Sequence, residues 1–265
     1  MNSRYLGALI LSPLIIFLFL GGKYLKALIF LISLRGMYEF YKAVEQKVHP
    51  VSFIGYALCI FYYLFMLNNK INAELFFFIL ILSMLILMLI PIFNEKYSFI
   101  SGAVTLLGFI YIPIFFSFIV LVSNKTYGNY LVWLIFLSSW LCDTFAYYAG
   151  KYFGKNKLCP KISPKKTVEG SIGGLLGSIV GCTSLGTFAI SNGVDIGIIH
   201  FILIGAISGI LSQLGDLVAS SIKRYVDVKD YSHLIPGHGG ILDRFDSILF
   251  SSVTVFYYLT FIIRI

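Results

Sequence analysis

Long apolar runs, broken by short clusters of Gly, Pro, Lys and Asp, dominate this chain. A helix needs about 20 mostly apolar residues to cross a bilayer. Nine stretches approach that length: Tyr5–Leu20, Tyr24–Phe40, Val51–Leu67, Glu74–Phe93, Tyr97–Val122, Tyr130–Ala149, Ser171–Ile190, Ile196–Ala219 and Ser247–Ile263. Only Gly21, Gly22 and Lys23 separate the first two. The run at 7–20 has the length of a signal-peptide core. No small-residue cleavage site follows it, so it is expected to stay as an uncleaved anchor. Short connections in the first half favour antiparallel neighbours. The pattern predicts an all-α polytopic membrane bundle of about nine transmembrane helices.

Composition strengthens this picture. Of 265 residues, 58% are apolar and 12% charged, against about 25% charged in soluble domains. An ordinary cytosolic domain, a disordered tail and a secreted disulfide scaffold are all excluded. The four cysteines, Cys59, Cys142, Cys159 and Cys182, form no C-x-x-C pair and suggest neither zinc nor a disulfide framework. Lys and Arg outnumber Asp and Glu by 20 to 12. In a membrane chain such an excess sets loop orientation, and no nucleic-acid partner is implied. With a cytoplasmic N-terminus, fifteen of the 20 basic residues fall inside. That orientation keeps the polar segments 150–170 and 220–246 in the cytoplasm.

Residues 1–130 read as a hydrophobic scaffold, and 131–265 hold nearly all the chemically capable side chains. Intramembrane acids are costly and mark functional cavities. Asp143 falls within the sixth span, about 10 Å from its cytoplasmic end. Asp216 falls in the eighth, near its own cytoplasmic end, and neither Asp216 nor Asp243 has an obvious partner within its helix turn.

Two polar segments add to these acids. In the segment from Ser220 to Asp246, Asp243 and Asp246 are spaced to share one helix face. They open the ninth span, where backbone N–H groups favour anions, although helix capping would also account for them. Pro236-Gly-His-Gly-Gly240 is a turn-forming run that lets backbone approach a ligand closely. Acids interleaved with Lys and Arg suit a metal held by carboxylates and phosphates held by cations. Mg²⁺ fits better than zinc, because it takes oxygen ligands and completes its shell with phosphate and water. His238 suits either a structural or a catalytic role. In the other segment, Thr167 and Glu169 have the form of a helix start. Lys165 and Lys166 just before it would add charge to an anion-binding backbone. Lys151, Lys155 and Lys157 read instead as topological charges facing lipid headgroups. Gly170, Gly173, Gly174, Gly177 and Gly181 have the small-xxx-small spacing of close helix packing.

Ser220-x-Ile-Lys-Arg-x4-Lys-Asp-x-Ser-x2-Ile-Pro-x-His-Gly-Gly-Ile-x-Asp-Arg-Phe-Asp246 resembles the long signature of the phosphatidate cytidylyltransferases (CDP-diacylglycerol synthases). The resemblance extends to Ser212-Gln-Leu-Gly-Asp-Leu217, to Ser163-Pro-Lys-Lys-Thr167 with Glu169-Gly170, and to Asp143 through Gly154. In the N-terminal half it rests on length, hydrophobicity and Tyr38-Glu-Phe40. Val168 and Ser171 are smaller than the residues the family carries there.

The resemblance implies transfer of CMP from CTP to phosphatidate, giving CDP-diacylglycerol and pyrophosphate in phospholipid biosynthesis. It also implies a multi-pass inner-membrane enzyme with its active site facing the cytoplasm, a Mg²⁺ requirement with K⁺ as a second metal, and a homodimer. The family's metal acids carry over onto Asp216 and Asp243, with Asp246 next. Lys223, Arg224, Lys166 and Arg244 become candidates for phosphate contact, with His238 among the catalytic group. Asp143, Lys165, Thr167, Lys229, Asp230, Gly239 and Gly240 become candidates for substrate binding. Two rivals are a CTP-dependent polyprenol or phytol kinase and an ion-coupled transporter. The complete signature disfavours the first, and the lack of inverted repeats disfavours the second.

Overall fold

The computed structural model describes residues 15–67, 73–234, 237 and 239–265. Eight helices are used below: α1 (Gly22–Val44), α2 (Ser52–Leu67), α3 (Ala73–Phe93), α4 (Phe99–Ser123), α5 (Gly128–Phe153), α6 (Val168–Ser191), α7 (Ile198–Tyr225) and α8 (Leu242–Tyr258). Among the described residues, six helices are long and apolar enough to cross a membrane: Glu74–Phe93, Phe99–Ser123, Gly128–Phe153, Val168–Ser191, Ile198–Tyr225 and Leu242–Ile263. The chain is an all-α polytopic membrane protein. Of the first predicted span, only 15–20 is described, as helix.

Three sequence expectations are corrected locally. The segment 150–170 is not all loop: α5 runs to Phe153, and strands β1 (Lys157–Cys159) and β2 (Ser163–Thr167) pair antiparallel. The Ser-Pro-Lys-Lys-Thr stretch has no apolar alternation to mark it as a strand, and pairing with β1 holds it extended. The segment 220–246 is likewise partly helical, since α7 continues to Tyr225 and α8 starts at Leu242. Polar side chains are compatible with a helix that has left the hydrocarbon layer. Asp216 therefore lies inside α7 and does not end it.

The chain divides into two compact units, Met1–Ser117 with Val226–Leu242, and Phe118–Tyr225 with Asp243–Ile265. The first unit is tied by buried hydroxyls. Tyr63 Oη donates to the Pro113 carbonyl at 3.0 Å and lies 2.8 Å from Ser33 Oγ, while Tyr41 Oη donates to the Thr105 carbonyl at 2.8 Å. Pro113 lacks the N–H that a regular helix needs, and α4 opens there into a π turn, Ile110–Ile114. Helix α3 exposes Phe77, Phe78, Ile81, Leu85, Met88, Ile92 and Phe93, a surface suited to lipid rather than water.

In the second unit, the glycines of α6 let α5 and α7 approach closely. A Cβ at Gly174 would lie 2.9 Å from the Cys142 carbonyl oxygen, and one at Gly177 would lie 2.6 Å from Phe145 Cβ. Gly173 faces Ala149, and Gly181 faces Leu141. The small-residue spacing is thus a packing seam, as the sequence predicts. Ser178 Oγ donates to the Gly205 carbonyl at 2.7 Å on the α7 side.

Candidate active site

Helix α6 begins where Thr167, in extended conformation, turns its hydroxyl to accept from the Gly170 N–H at 3.1 Å. This is the predicted N-cap. Glu169 reaches back to the hairpin, accepting from the Lys155 N–H at 3.1 Å and from Asn156 Nδ2 at 2.9 Å. Its carboxylate is thereby committed to holding the lysine-rich connection. Lys165 and Lys166 lie on β2, immediately before the N-terminal end of α6.

A cavity of about 390 Å³ opens beside this turn, and Asp143, Tyr147, Lys151, Lys165, Lys166, Gln213 and Asp216 are in its lining. Gln213 is held by donation from Nε2 to the Ser171 and Gly209 carbonyls, both at 3.2 Å. Lys166 Nζ sits 2.5 Å from Asp216 Oδ2, with both side chains about a quarter exposed. Ser220 Oγ donates to Asp216 Oδ1 at 3.3 Å, so Asp216 does have a partner within its own turn.

A second pair lies at the start of α8. Lys223 Nζ donates to Asp243 Oδ1 at 2.8 Å, and the Asp243 side chain is 2% exposed. Asp246 is also buried, and its Oδ1 accepts from the Ser247 N–H at 2.8 Å. Ser247 Oγ contacts Ser139 Oγ at 2.6 Å and donates to Asp143 Oδ2 at 3.4 Å. Asp143 and Asp246 each feel the negative charge of Asp216, opposed by Lys166 at Asp143 and by Lys223 at Asp246. Asp143, Asp216 and Asp246 thus form one electrostatic group inside the second unit, and Lys223 links Asp243 to it. Lys151, Lys165 and Lys166 line the cavity beside these acids, and Lys223 sits against Asp243.

The donors in this group are all carboxylate oxygens, which suits a hard cation. Two of the acids already hold ammonium groups at 2.5 and 2.8 Å, so cationic charge is accepted there. Among the described residues, no three His, Cys, Asp or Glu side chains converge as a metal cage. Mg²⁺ commonly uses only one or two carboxylates and takes its other ligands from substrate phosphate and water. The residues present fit that mode.

The predicted site residues separate into groups. Asp143, Lys165, Lys166, Thr167 and Asp216 share the cavity lining, while Lys223, Asp243 and Asp246 form the adjoining buried set. Arg224 is exposed, and its Nε donates to the Ile162 carbonyl at 3.4 Å, on the hairpin. Lys229, Asp230, Gly239 and Gly240 belong to the first unit. Gly239 has φ +84°, a left-handed turn of the kind expected of the glycine run. His238 lies outside the described residues. Sequence reasoning passed over Lys151, Tyr147 and Gln213, all in the cavity lining. Lys151 was assigned to lipid headgroups because six lysines in one loop look alike without a fold.

Comparison with known proteins gives this geometry a context. The chain is 32% identical to the phosphatidate cytidylyltransferase of Bacillus subtilis (strain 168) over 263 residues, 94% of each chain. It is 39% identical to that of Rickettsia conorii (strain ATCC VR-613 / Malish 7) over 174 residues, covering 62% of this chain and 72% of the relative. The enzyme of the same name from Staphylococcus aureus (strain COL) is 40% identical over 171 residues, covering 64% of this chain and 63% of the relative. The Cytidylyltransferase family pattern matches residues 2–262, and the chain belongs to that family.

Proposed function

We infer that this protein is a CTP:phosphatidate cytidylyltransferase, making CDP-diacylglycerol and pyrophosphate for phospholipid biosynthesis. The observation that carries the reading is the juxtaposition of buried and cavity-lining acids, Asp143, Asp216, Asp243 and Asp246, with the cations Lys151, Lys165, Lys166 and Lys223. Such a surface attracts a polyphosphate together with its divalent cation.

A phosphatidate phosphate oxygen forms a bond to the α-phosphorus of CTP, and the bond from that phosphorus to the β-phosphate bridging oxygen breaks. This nucleophile is already ionised at neutral pH, so no strong base is needed. Catalysis rests on in-line positioning and charge neutralisation. Lys165 and Lys166, with the N-terminal end of α6, hold phosphate oxygens. Lys223 and Arg244 are the further phosphate contacts. Asp216 and Asp243, with Asp246 behind them, would hold Mg²⁺, which when bound neutralises charge on the triphosphate and the leaving pyrophosphate. K⁺ is the second metal in this reading.

Residues 1–130 serve as scaffold and 131–265 as the catalytic region. Nine spans follow from the apolar runs, and with that odd count the loop-charge bias favours a cytoplasmic N-terminus and a site facing the cytoplasm; an inner-membrane location accords with the bacterial relatives. A homodimer is the working assembly. The test is purified protein with radiolabelled CTP, Mg²⁺ and a panel of phosphatidate, polyprenol and phytol in mixed micelles. Labelled CDP-diacylglycerol from phosphatidate alone is expected. A phosphorylated alcohol, or no lipid product, overturns the reading.

A further inference from the structure

An acid in the N-terminal helices has no part in the chemistry derived above. Glu39 lies on α1 and is 1% exposed. Its Oε1 accepts from Ser232 Oγ at 2.7 Å and from Arg35 Nε at 3.2 Å. Its Oε2 accepts from the Leu242 N–H at 2.9 Å. Gly240 packs against the same oxygen so closely that a Cβ there would collide with it. All of these residues belong to the first unit.

A buried carboxylate is retained only where donors replace its hydration. Here two of the three donors, Ser232 and Leu242, come from the connection between α7 and α8, about 200 residues further along the chain. Arg35, one helical turn away, supplies the compensating charge. The bond to Leu242 also satisfies one of the N–H groups that the start of any helix leaves unpaired. Leu242 is the first residue of α8 and is peptide-bonded to Asp243. Ser232 and Leu242 bracket the glycine run whose turn leads into that helix.

We propose that Glu39 is a positioning residue for cytidylyl transfer: its carboxylate clamps the Ser232–Leu242 connection and sets the backbone from which Asp243 projects. The proposal rests on the activity inferred above. It predicts that loosening the clamp lowers turnover with little change in CTP binding, because Glu39 is taken up by Ser232, Arg35 and the Leu242 N–H and reaches Asp243 only through the backbone. A misplacement on the ångström scale at the reacting groups lowers rates by up to about 10²-fold.

The experiment compares wild type, Glu39→Gln, Glu39→Ala, Ser232→Ala and the Glu39→Gln/Ser232→Ala double variant in detergent micelles. Glu45→Gln serves as a control, an exposed acid further along the same stretch. Steady-state kcat and KM for CTP are measured beside amide hydrogen exchange of peptides spanning 232–242 and the melting temperature. Glu39→Ala is expected to lower kcat by about ten- to a hundredfold, with KM for CTP within twofold. Glu39→Gln keeps one acceptor oxygen and should fall between Glu39→Ala and wild type. Exchange in 232–242 should quicken in each clamp variant, and the double variant should lose less than the product of the single losses.

If Glu39→Ala does not fold, Glu39→Gln and Ser232→Ala carry the test. Wild-type kcat in both, or a loss confined to melting temperature with exchange unchanged, overturns the clamp. Wild type without CDP-diacylglycerol synthesis would instead overturn the activity itself.

Discussion

Asp216→Asn is the variant that separates chemistry from folding. The side chain is 28% exposed and its lysine partner 27% exposed, so the pair is partly solvated. Exposed ion pairs contribute about 0–1 kcal/mol, and asparagine keeps an acceptor for Ser220. The fold should therefore survive. Removing one well-placed electrostatic element lowers rates by about 10²–10³-fold, and loss of a shared cation should lower them at least that much. Asp243→Asn behaves differently. It removes one of the charges that face Lys223, 10% exposed in its side chain, and weakening a buried pair in this way costs up to about 3–5 kcal/mol. At roughly 2–4 °C per kcal/mol for a chain of this size, melting should fall by on the order of 10 °C. Pairing Asp243→Asn with Lys223→Met removes the ammonium left over from that pair, so part of the stability should return while activity does not. The assay is labelled CDP-diacylglycerol formation at saturating Mg²⁺, read against melting in the same detergent. Substantial wild-type turnover in Asp216→Asn would refute the metal assignment. Recovery of activity in the Lys223→Met/Asp243→Asn protein would show that Asp243 serves folding alone.

Other outcomes follow from the same geometry. Lys166→Ala should reduce turnover at least about tenfold relative to Lys155→Ala at equal expression, because Lys166 lies in the cavity lining against Asp216 while Lys155 offers only its backbone N–H to Glu169. Equal activities would return both lysines to the lipid headgroups. Asp227→Asn should stay near wild type, since its pair with Lys47 is exposed and worth under about 1 kcal/mol. Gly177→Val should lower melting by several degrees or prevent assembly, because Phe145 already fills the space a Cβ needs; an unchanged melt would refute the packing seam. Reporter fusions at 160 and 230 should be cytoplasmic, and a fusion at the C-terminus should be outside; a cytoplasmic C-terminus would overturn the nine-span count.

Much of the architecture was legible before folding. Spans read from apolar length agree with the helices to within a few residues over Glu74–Phe93 and Phe99–Ser123, because lipid forces every backbone group to be satisfied within its own helix. The cap at Thr167 was legible for a similar reason, since its partner is three residues away. The β1–β2 hairpin was not, because its strands lack alternation and its register depends on Glu169 and the helix ends. Lys151 and Gln213 were also illegible as cavity residues. Their role depends on which faces of α5 and α7 turn toward α6.

The sequence by itself determined the membrane character, the approximate positions of the long apolar helices and the list of candidate acids and cations. These follow from local length, period and residue chemistry, which the surrounding fold does not alter. Tertiary structure decided the partners. It set Lys166 against Asp216 and Lys223 against Asp243, and it joined Ser247 to Asp143 across more than 100 residues of chain. It also gave Glu39, one acid in an apolar helix, its place against Ser232 and Leu242. Pairing of this kind depends on which helices pack and at what rotation. Glycine seams and buried hydrogen bonds settle that only once the whole chain has assembled.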